Sequence, residues 1–370
     1  IQRAYGKLIS FLYGWTVFTV IQTGTIAAVA VAFSNYTAVF FPILENKILT
    51  IGESFSFTNK QVLAMFIIAL LTYINTKGIR SGKIIQVVFT SAKLIALFAL
   101  ITLGIYIGFH TNTFADNFSS MWEAKKTVLE EDGTLTITKL SGIALIGAMG
   151  ATIINSLFSS DAWNNVTFIA GEMKNPKRNI GLSLLLGTLI VTLIYVSANL
   201  MYLNVLPLDQ LAFPTDDRVA VAAANVIFPS FGTTLIALLI MVSTFGCNNG
   251  LVLAGSRLFY AMSKDGLFFK SAAQLNSNGV PARALWIQCA WASALCLSGK
   301  YGDLLTYSTF ASLLFYIITI YGIFRLRKLE PDTPRPYKAW GYPYIPALYI
   351  VLTLAICVDL LIYDFRNAGM

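Results

Sequence analysis

The chain has 370 residues, of which 56% are hydrophobic and only 12% charged, with a mean hydropathy of +0.68. A water-soluble domain carries about twice that share of charge, so the composition excludes a disordered chain, a secreted disulfide scaffold and an ordinary cytosolic enzyme. The net charge of +8 has several uses besides nucleic-acid binding, and the position of the bases along the chain decides among them.

A helix rising 1.5 Å per residue needs about 20 apolar residues to cross a bilayer, and nine stretches read as spans. The first is 8–34. Thr37 to Leu44 lies too near Pro42 and Glu45 to span and fits an interfacial segment. Spans 61–76 and 84–108 follow, the second apolar apart from Gln86, Thr90, Ser91, Lys93 and Thr102. Lys93 sits about 14 Å into that span, too deep for its own stem to reach water. An intramembrane lysine marks a functional site by default, here either a fixed cation or a proton carrier. A helix boundary misplaced by a few residues is the plainer explanation.

The stretch 109–139 is the longest hydrophilic connection. The next span, 140–171, is interrupted: after an apolar run to Phe158 it reads Ser159-Ser160-Asp161-Ala162-Trp163-Asn164-Asn165 before Val166. Ser, Asp and Asn compete with the helix for backbone hydrogen bonds, and irregular backbone at membrane depth is tolerated only where protein or a polar cavity satisfies it. Carriers use such breaks to aim N–H groups and carbonyls at a substrate. Asp161 at mid-bilayer costs about 2.5 to 3.5 kcal/mol on the insertion scale, which calls for a partner or a proton. It also suits an N-cap for a following half-helix, Ala162–Ala170. Alternatively, 140–158 is the whole span and 159–171 an interfacial loop.

Spans 180–205 and 231–262 come next. The latter holds a polar cluster, Ser243-Thr244-Phe245-Gly246-Cys247-Asn248-Asn249-Gly250. Small residues let helices approach closely while hydroxyls and amides bond across a bundle, so helix packing and site lining both fit. Ser243, Thr244 and Asn248 are the candidates for lining. The last spans are 282–298, 302–325 and 343–363. Cys247, Cys289, Cys296 and Cys357 all fall inside spans and read as packing residues.

Connections then alternate between two sides. The side of residue 1 collects 17 bases, among them Arg3, Lys77, Lys177, Arg178, Arg325 and Arg335, against four acids. The other side holds eight bases, Lys300 and Arg366 included, and twelve acids, Asp216 and Asp217 among them. Basic loops face the cytoplasm, which puts residue 1 inside and residue 370 outside a plasma (inner) membrane. The surplus charge is a rim for anionic lipid, with no nucleic-acid role. Soluble-enzyme chemistry is missing as well. His110 is the lone histidine, which removes histidine metal clusters and Ser-His-Asp triads, and no GxxxxGK[ST] or GxGxxG occurs. No enzyme, cofactor or metal is expected. Sequons occur at Asn35 and Asn117.

Three segments carry a family resemblance. Phe158 to Ile180, through Gly171-Glu172-Met173-Lys174-Asn175-Pro176-Lys177-Arg178, resembles the sixth helix and following loop of the amino acid/polyamine/organocation superfamily. It is nearest the L-type amino acid transporter branch and the bacterial serine/threonine exchangers. Ser243 to Tyr260, with Gly255-Ser256-Arg257, is similar to that family's eighth helix, and Arg335-Pro336-Tyr337-Lys338 to the loop before its eleventh. The resemblance implies an all-α polytopic membrane protein, one transmembrane domain over 1–370. Its nine helices would be the third to the eleventh of a twelve-helix fold built on an inverted five-plus-five repeat. The first two helices and the twelfth would lie outside this fragment. It further implies sodium-independent exchange of L-amino acids by alternating access; Asp161 and Asn164 suit a polar or cationic side chain, Ser159 and Ser160 a small neutral one, and neutral substrates are expected. Phe158, Ser159, Ser160, Asp161, Ala162 and Trp163 would bind substrate, and Lys93 would stand where other members hold sodium. Ala162 departs from the family's glycine. Residues 35–58 contain no cysteine, so no disulfide-linked heavy subunit is expected. The rival expectations are a proton-coupled permease and a transport-inactive sensor or scaffold of the same fold.

Overall fold

The computed structural model describes residues 1–51, 55–119, 123–129, 135–213, 218–298, 301–335 and 338–368. Of the residues named above, Asp216, Asp217, Lys300, Pro336 and Tyr337 lie outside the described residues.

Short α1 (Gln2–Tyr5) turns at Gly6 into α2 (Lys7–Thr16), which runs through a π-helical turn (Val17–Ile21) into α3 (Gln22–Thr37). Thr23 Oγ1 donates to the carbonyl of Phe18, five residues back, at 2.5 Å, a spacing that belongs to the widened turn. α4 (Asn59–Thr76) starts on a capping box in which the Thr58 N–H donates to Gln61 Oε1 at 2.8 Å. Then come α5 (Ile79–Gly108), α6 (Thr113–Phe118), α7 (Gly142–Ser159), α8 (Asn165–Phe168) and α9 (Pro176–Val205). The remainder is α10 (Leu208–Ala212), α11 (Val219–Ile227), α12 (Gly232–Lys264), α13 (Ala282–Ser298), α14 (Tyr301–Leu329) and α15 (Tyr344–Ala368).

Helices occupy all nine expected stretches. Among the described residues six segments are long and apolar enough to cross a bilayer: Lys7–Thr37, Gly82–Gly108, Pro176–Val205, Gly232–Lys264, Leu304–Leu329 and Tyr344–Ile362. α4, α7 and α13, of 18, 18 and 17 residues, are shorter members of the same bundle. Two connections read as plain loops instead form antiparallel hairpins, Lys47–Ile51 with Phe55–Thr58 and Lys125–Leu129 with Leu135–Lys139. The alternation of Thr with Ile, Val and Leu in these segments suits a pleated ribbon.

The core forms where α3, α4, α12 and α13 meet. Ile26, Ala27, Ala28 and Ala30 pack on Ala64, Ile68, Leu251, Val252, Leu285 and Ala292. α3 is buried on every side along Gln22–Ala30, as a central helix must be. α9 is the opposite, with Leu182, Leu185, Leu189, Leu193 and Val196 exposed.

Polar contacts join connections expected on the same side. Arg3 pairs with Glu330 and Asn276 Nδ2 donates to the Thr76 carbonyl at 2.8 Å, both on the residue-1 side. On the other side Lys60 meets Glu45 at 3.1 Å. Asn117 there is buried and fully used. Its Nδ2 donates to the carbonyls of Leu203 and Leu206 at 2.7 and 2.8 Å, and its Oδ1 accepts the Leu208 N–H at 3.1 Å, finishing α9. The sequon at Asn117 thus serves as a helix C-cap.

Candidate functional site

The site begins where α7 stops. The hydroxyls of Ser159 and Ser160 fold back onto the Ser156 carbonyl at 2.9 and 2.8 Å, the local competition that weakens serine in helices. The Asp161 N–H still reaches the Phe158 carbonyl at 3.1 Å. The chain then leaves the helix at Ala162, whose φ is +63°. An L-residue enters this region at a cost of about 1 to 2 kcal/mol, so alanine holds the bend that glycine would adopt freely. The half-helix expected over 162–170 shrinks to α8, a single turn, and a 3-10 turn at Ala170–Glu172.

Asp161 does not cap α8, whose N-cap is Asn164. Its Oδ1 accepts the hydroxyl of Tyr316, on α14, at 2.5 Å. The Trp163 ring lies 5.4 Å from that of Tyr316. The carbonyl of Ser159, released by the break, accepts the hydroxyl of Tyr195, on α9, at 2.7 Å. Two helices, α14 and α9, therefore hold the chain where α7 ends and the five-residue interruption 160–164 begins.

Two cavities flank it. One is lined by Asp161, Ala162, Asn164 and Asn165 on one wall, by Tyr13, Val17, Ile21, Gln22 and Thr25 on a second, and by Ser312, Phe315 and Tyr316 on the third. The π-helical turn supplies part of its wall, a usual setting for such turns. The other opens toward α9, between Ser159, Ser160, Asp161 and Trp163 and the facing Ser183, Thr188, Thr192 and Tyr195. Of the six residues expected to bind substrate, five border a cavity. Phe158 instead packs into the core, against both the α3 cluster and the cluster of α14 and α15.

Lys93 lies half-buried on α5, about 16 Å from the start of the apolar segment Gly82–Gly108, close to the depth expected from the sequence. The polar cluster 243–250 lies on α12, which packs along α5. That cluster divides by role. Gly246 leaves room for Phe89 and Gly250 for Gln86, since a Cβ at these positions would stand 2.6 and 3.0 Å from them. Asn249 accepts from Asn75 at 3.0 Å and donates to the Gly82 carbonyl at 3.0 Å. Thr244 Oγ1 donates to the Ile240 carbonyl at 2.7 Å. Asn248 is buried with both amide atoms unpartnered. Among the described residues, Ser243, Thr244 and Asn248 line neither cavity at the break.

Sequence reasoning missed Tyr13, Gln22, Tyr195, Ser312 and Tyr316. Each sits in an apolar run where an isolated Tyr, Gln or Ser carries no spacing signal. Among the described residues no cluster of three His, Cys, Asp or Glu side chains suits a metal.

The chain matches the family described as amino acid permease over residues 1–363. It is 27% identical over 364 residues to the b(0,+)-type amino acid transporter 1 of Homo sapiens, covering 98% of this chain and 67% of that one. The mouse counterpart is 26% identical, with 96% and 66% covered. To the serine/threonine exchanger SteT of Bacillus subtilis (strain 168) the identity is 28%, over all of this chain and 77% of the exchanger. The chain spans about two-thirds of the length of the mammalian relatives.

Proposed function

Since the chain belongs to the amino acid permease family, within the amino acid/polyamine/organocation superfamily, we propose that it moves L-amino acids across a plasma membrane by alternating access, as a sodium-independent exchanger preferring neutral substrates. The observation that carries this reading is the break at Ser160–Asn164, an irregular, half-exposed segment between α7 and α8 with a cavity on either side, each apolar apart from a few polar side chains. Unwound backbone at membrane depth is where carriers hold the charged ends of a substrate. In this reading the segment Ser159–Trp163 takes the α-ammonium and side chain. Lys93, half-buried on α5, supplies a fixed positive charge in place of sodium. Residue 1 faces the cytoplasm, consistent with the basic rim and with the pairing of Arg3 and Glu330 at one end of the bundle.

The test is uptake of labelled L-alanine by liposomes containing the full chain. Uptake that needs internal amino acid and ignores sodium is expected; sodium-dependent uptake overturns the coupling. Absence of any amino acid uptake or binding leaves the sensor or scaffold. A proton-coupled permease is the second reading. It draws on Asp359 of α15, whose Oδ2 is buried without a partner against Gly150 of α7. Inward acidification accompanying uptake distinguishes it.

A further inference from the structure

Resting on the reading of an amino acid carrier with a neutral preference, we propose that Tyr316 is a positioning residue that sets substrate specificity: its hydroxyl occupies the Asp161 carboxylate and keeps it from cationic side chains. Asp161 is the only acidic side chain among the described residues lining the two cavities at the break. A substrate ammonium or guanidinium there has one anionic partner to seek. That partner is already engaged by the protein, through the Tyr316 hydroxyl at 2.5 Å. Tyr316 is itself held, its ring against Trp163 on one side and its helix packed on the core cluster of α14 and α15.

One turn earlier on α14, Ser312 borders the same cavity, buried, with its hydroxyl unpartnered. The walls thus present a neutral donor and acceptor to the incoming side chain while the charge stays covered. A hydroxyl or small apolar side chain meets Ser312 without disturbing Tyr316. A cationic one has to break the phenol–carboxylate bond before gaining its own charge-assisted bond, and the net advantage of charge is cancelled.

The experiment measures inhibition of labelled L-alanine uptake by unlabelled L-lysine and by unlabelled L-serine, in liposomes holding the wild type, Tyr316→Phe, Asp161→Asn or the double variant. In Tyr316→Phe the ratio of lysine to serine potency should rise about tenfold, the scale of one uncovered charge-assisted hydrogen bond. In the double variant that gain should vanish. Asp161→Asn alone should leave the ratio within about twofold of wild type, because the carboxylate it removes is covered. An unchanged ratio in Tyr316→Phe, or a gain that persists in the double variant, overturns the proposal while transport stands. Should Tyr316→Phe fail to fold, Asp161→Asn decides: a large loss of lysine potency would mean that the carboxylate already serves cations. Wild-type protein that neither takes up nor binds an amino acid refutes the transport reading and this proposal together.

Discussion

Gly255, in the Gly-Ser-Arg segment of α12, stands where Gln22 of α3 and Gln288 of α13 converge. A Cβ at this position would lie 2.3 Å from Gln288 Oε1 and 2.7 Å from Gln22 Cγ. Both amides are buried and tied to α12 itself: Gln22 Nε2 donates to the Leu251 carbonyl at 2.8 Å and Gln288 Nε2 to the Val252 carbonyl at 3.2 Å. Gly255→Ala must therefore push aside at least one glutamine and strip a carbonyl of its donor. Overpacking costs about 1–3 kcal/mol and the lost buried bond about 1–3 kcal/mol, so a total near 3 kcal/mol is expected. At roughly 2.1 cal/mol/K of unfolding entropy per residue, a chain of 370 residues should lose about 4 °C of apparent midpoint. The midpoint is read from thermal unfolding of detergent-solubilised protein. Adding Gln288→Ala removes one of the two obstacles, and the pair should cost about 1–2 kcal/mol less than the two single variants summed. A Gly255→Ala midpoint within about 1 °C of wild type, or strict additivity in the cycle, would refute the reasoning.

Ala162→Gly should leave uptake intact and change the midpoint little, because relief of about 1 kcal/mol of left-handed strain is offset by about 0.4–1 kcal/mol of extra unfolded-chain entropy. Ala162→Val, β-branched at φ +63°, should lower both midpoint and uptake. Lys93→Ala should abolish alanine uptake or free it from the requirement for internal substrate; normal, equally coupled uptake would remove the lysine from the mechanism. Asn117→Ala should cost about 2–3 kcal/mol, near 1 kcal/mol for each of its hydrogen bonds, seen as a lower midpoint. Expression of the wild type in a glycosylating host should give no glycan at Asn117 by mass spectrometry.

The spans were legible because apolar length is a property of contiguous residues, and a run such as 180–205 declares itself. The break was legible for the same reason, since Ser159 to Asn165 concentrates helix-weak residues in one place. Its partners were not. Tyr316 lies in Leu313-Leu314-Phe315-Tyr316-Ile317, where only the tertiary approach of α14 to Asp161 gives the hydroxyl a role. Gln22 and Gln288 look like isolated polar residues in apolar runs until α3, α12 and α13 close around Gly255. Ala162 shows the opposite failure. Read only as a departure from the family's glycine, it takes a left-handed bend at φ +63° that the sequence did not announce. The hairpins escaped notice because their strands of four or five residues were read as part of hydrophilic connections.

The π-helical turn at Val17–Ile21 also acts as a phase shifter. Leu8, Phe11, Leu12 and Trp15 form one outward, exposed stripe on α2. Continued at 3.6 residues per turn, that stripe would run through positions 19, 22 and 26. Gln22 and Ile26 are instead fully inside. One surplus residue rotates everything downstream by about 100°, so it sets which face of α3 meets α12. Deleting any single residue of that turn would reverse the rotation and swing Gln22 away from the Leu251 carbonyl it donates to. The one-residue surplus thus decides which side chain of the continuous helix meets α12, and it is Gln22 that reaches the Leu251 carbonyl.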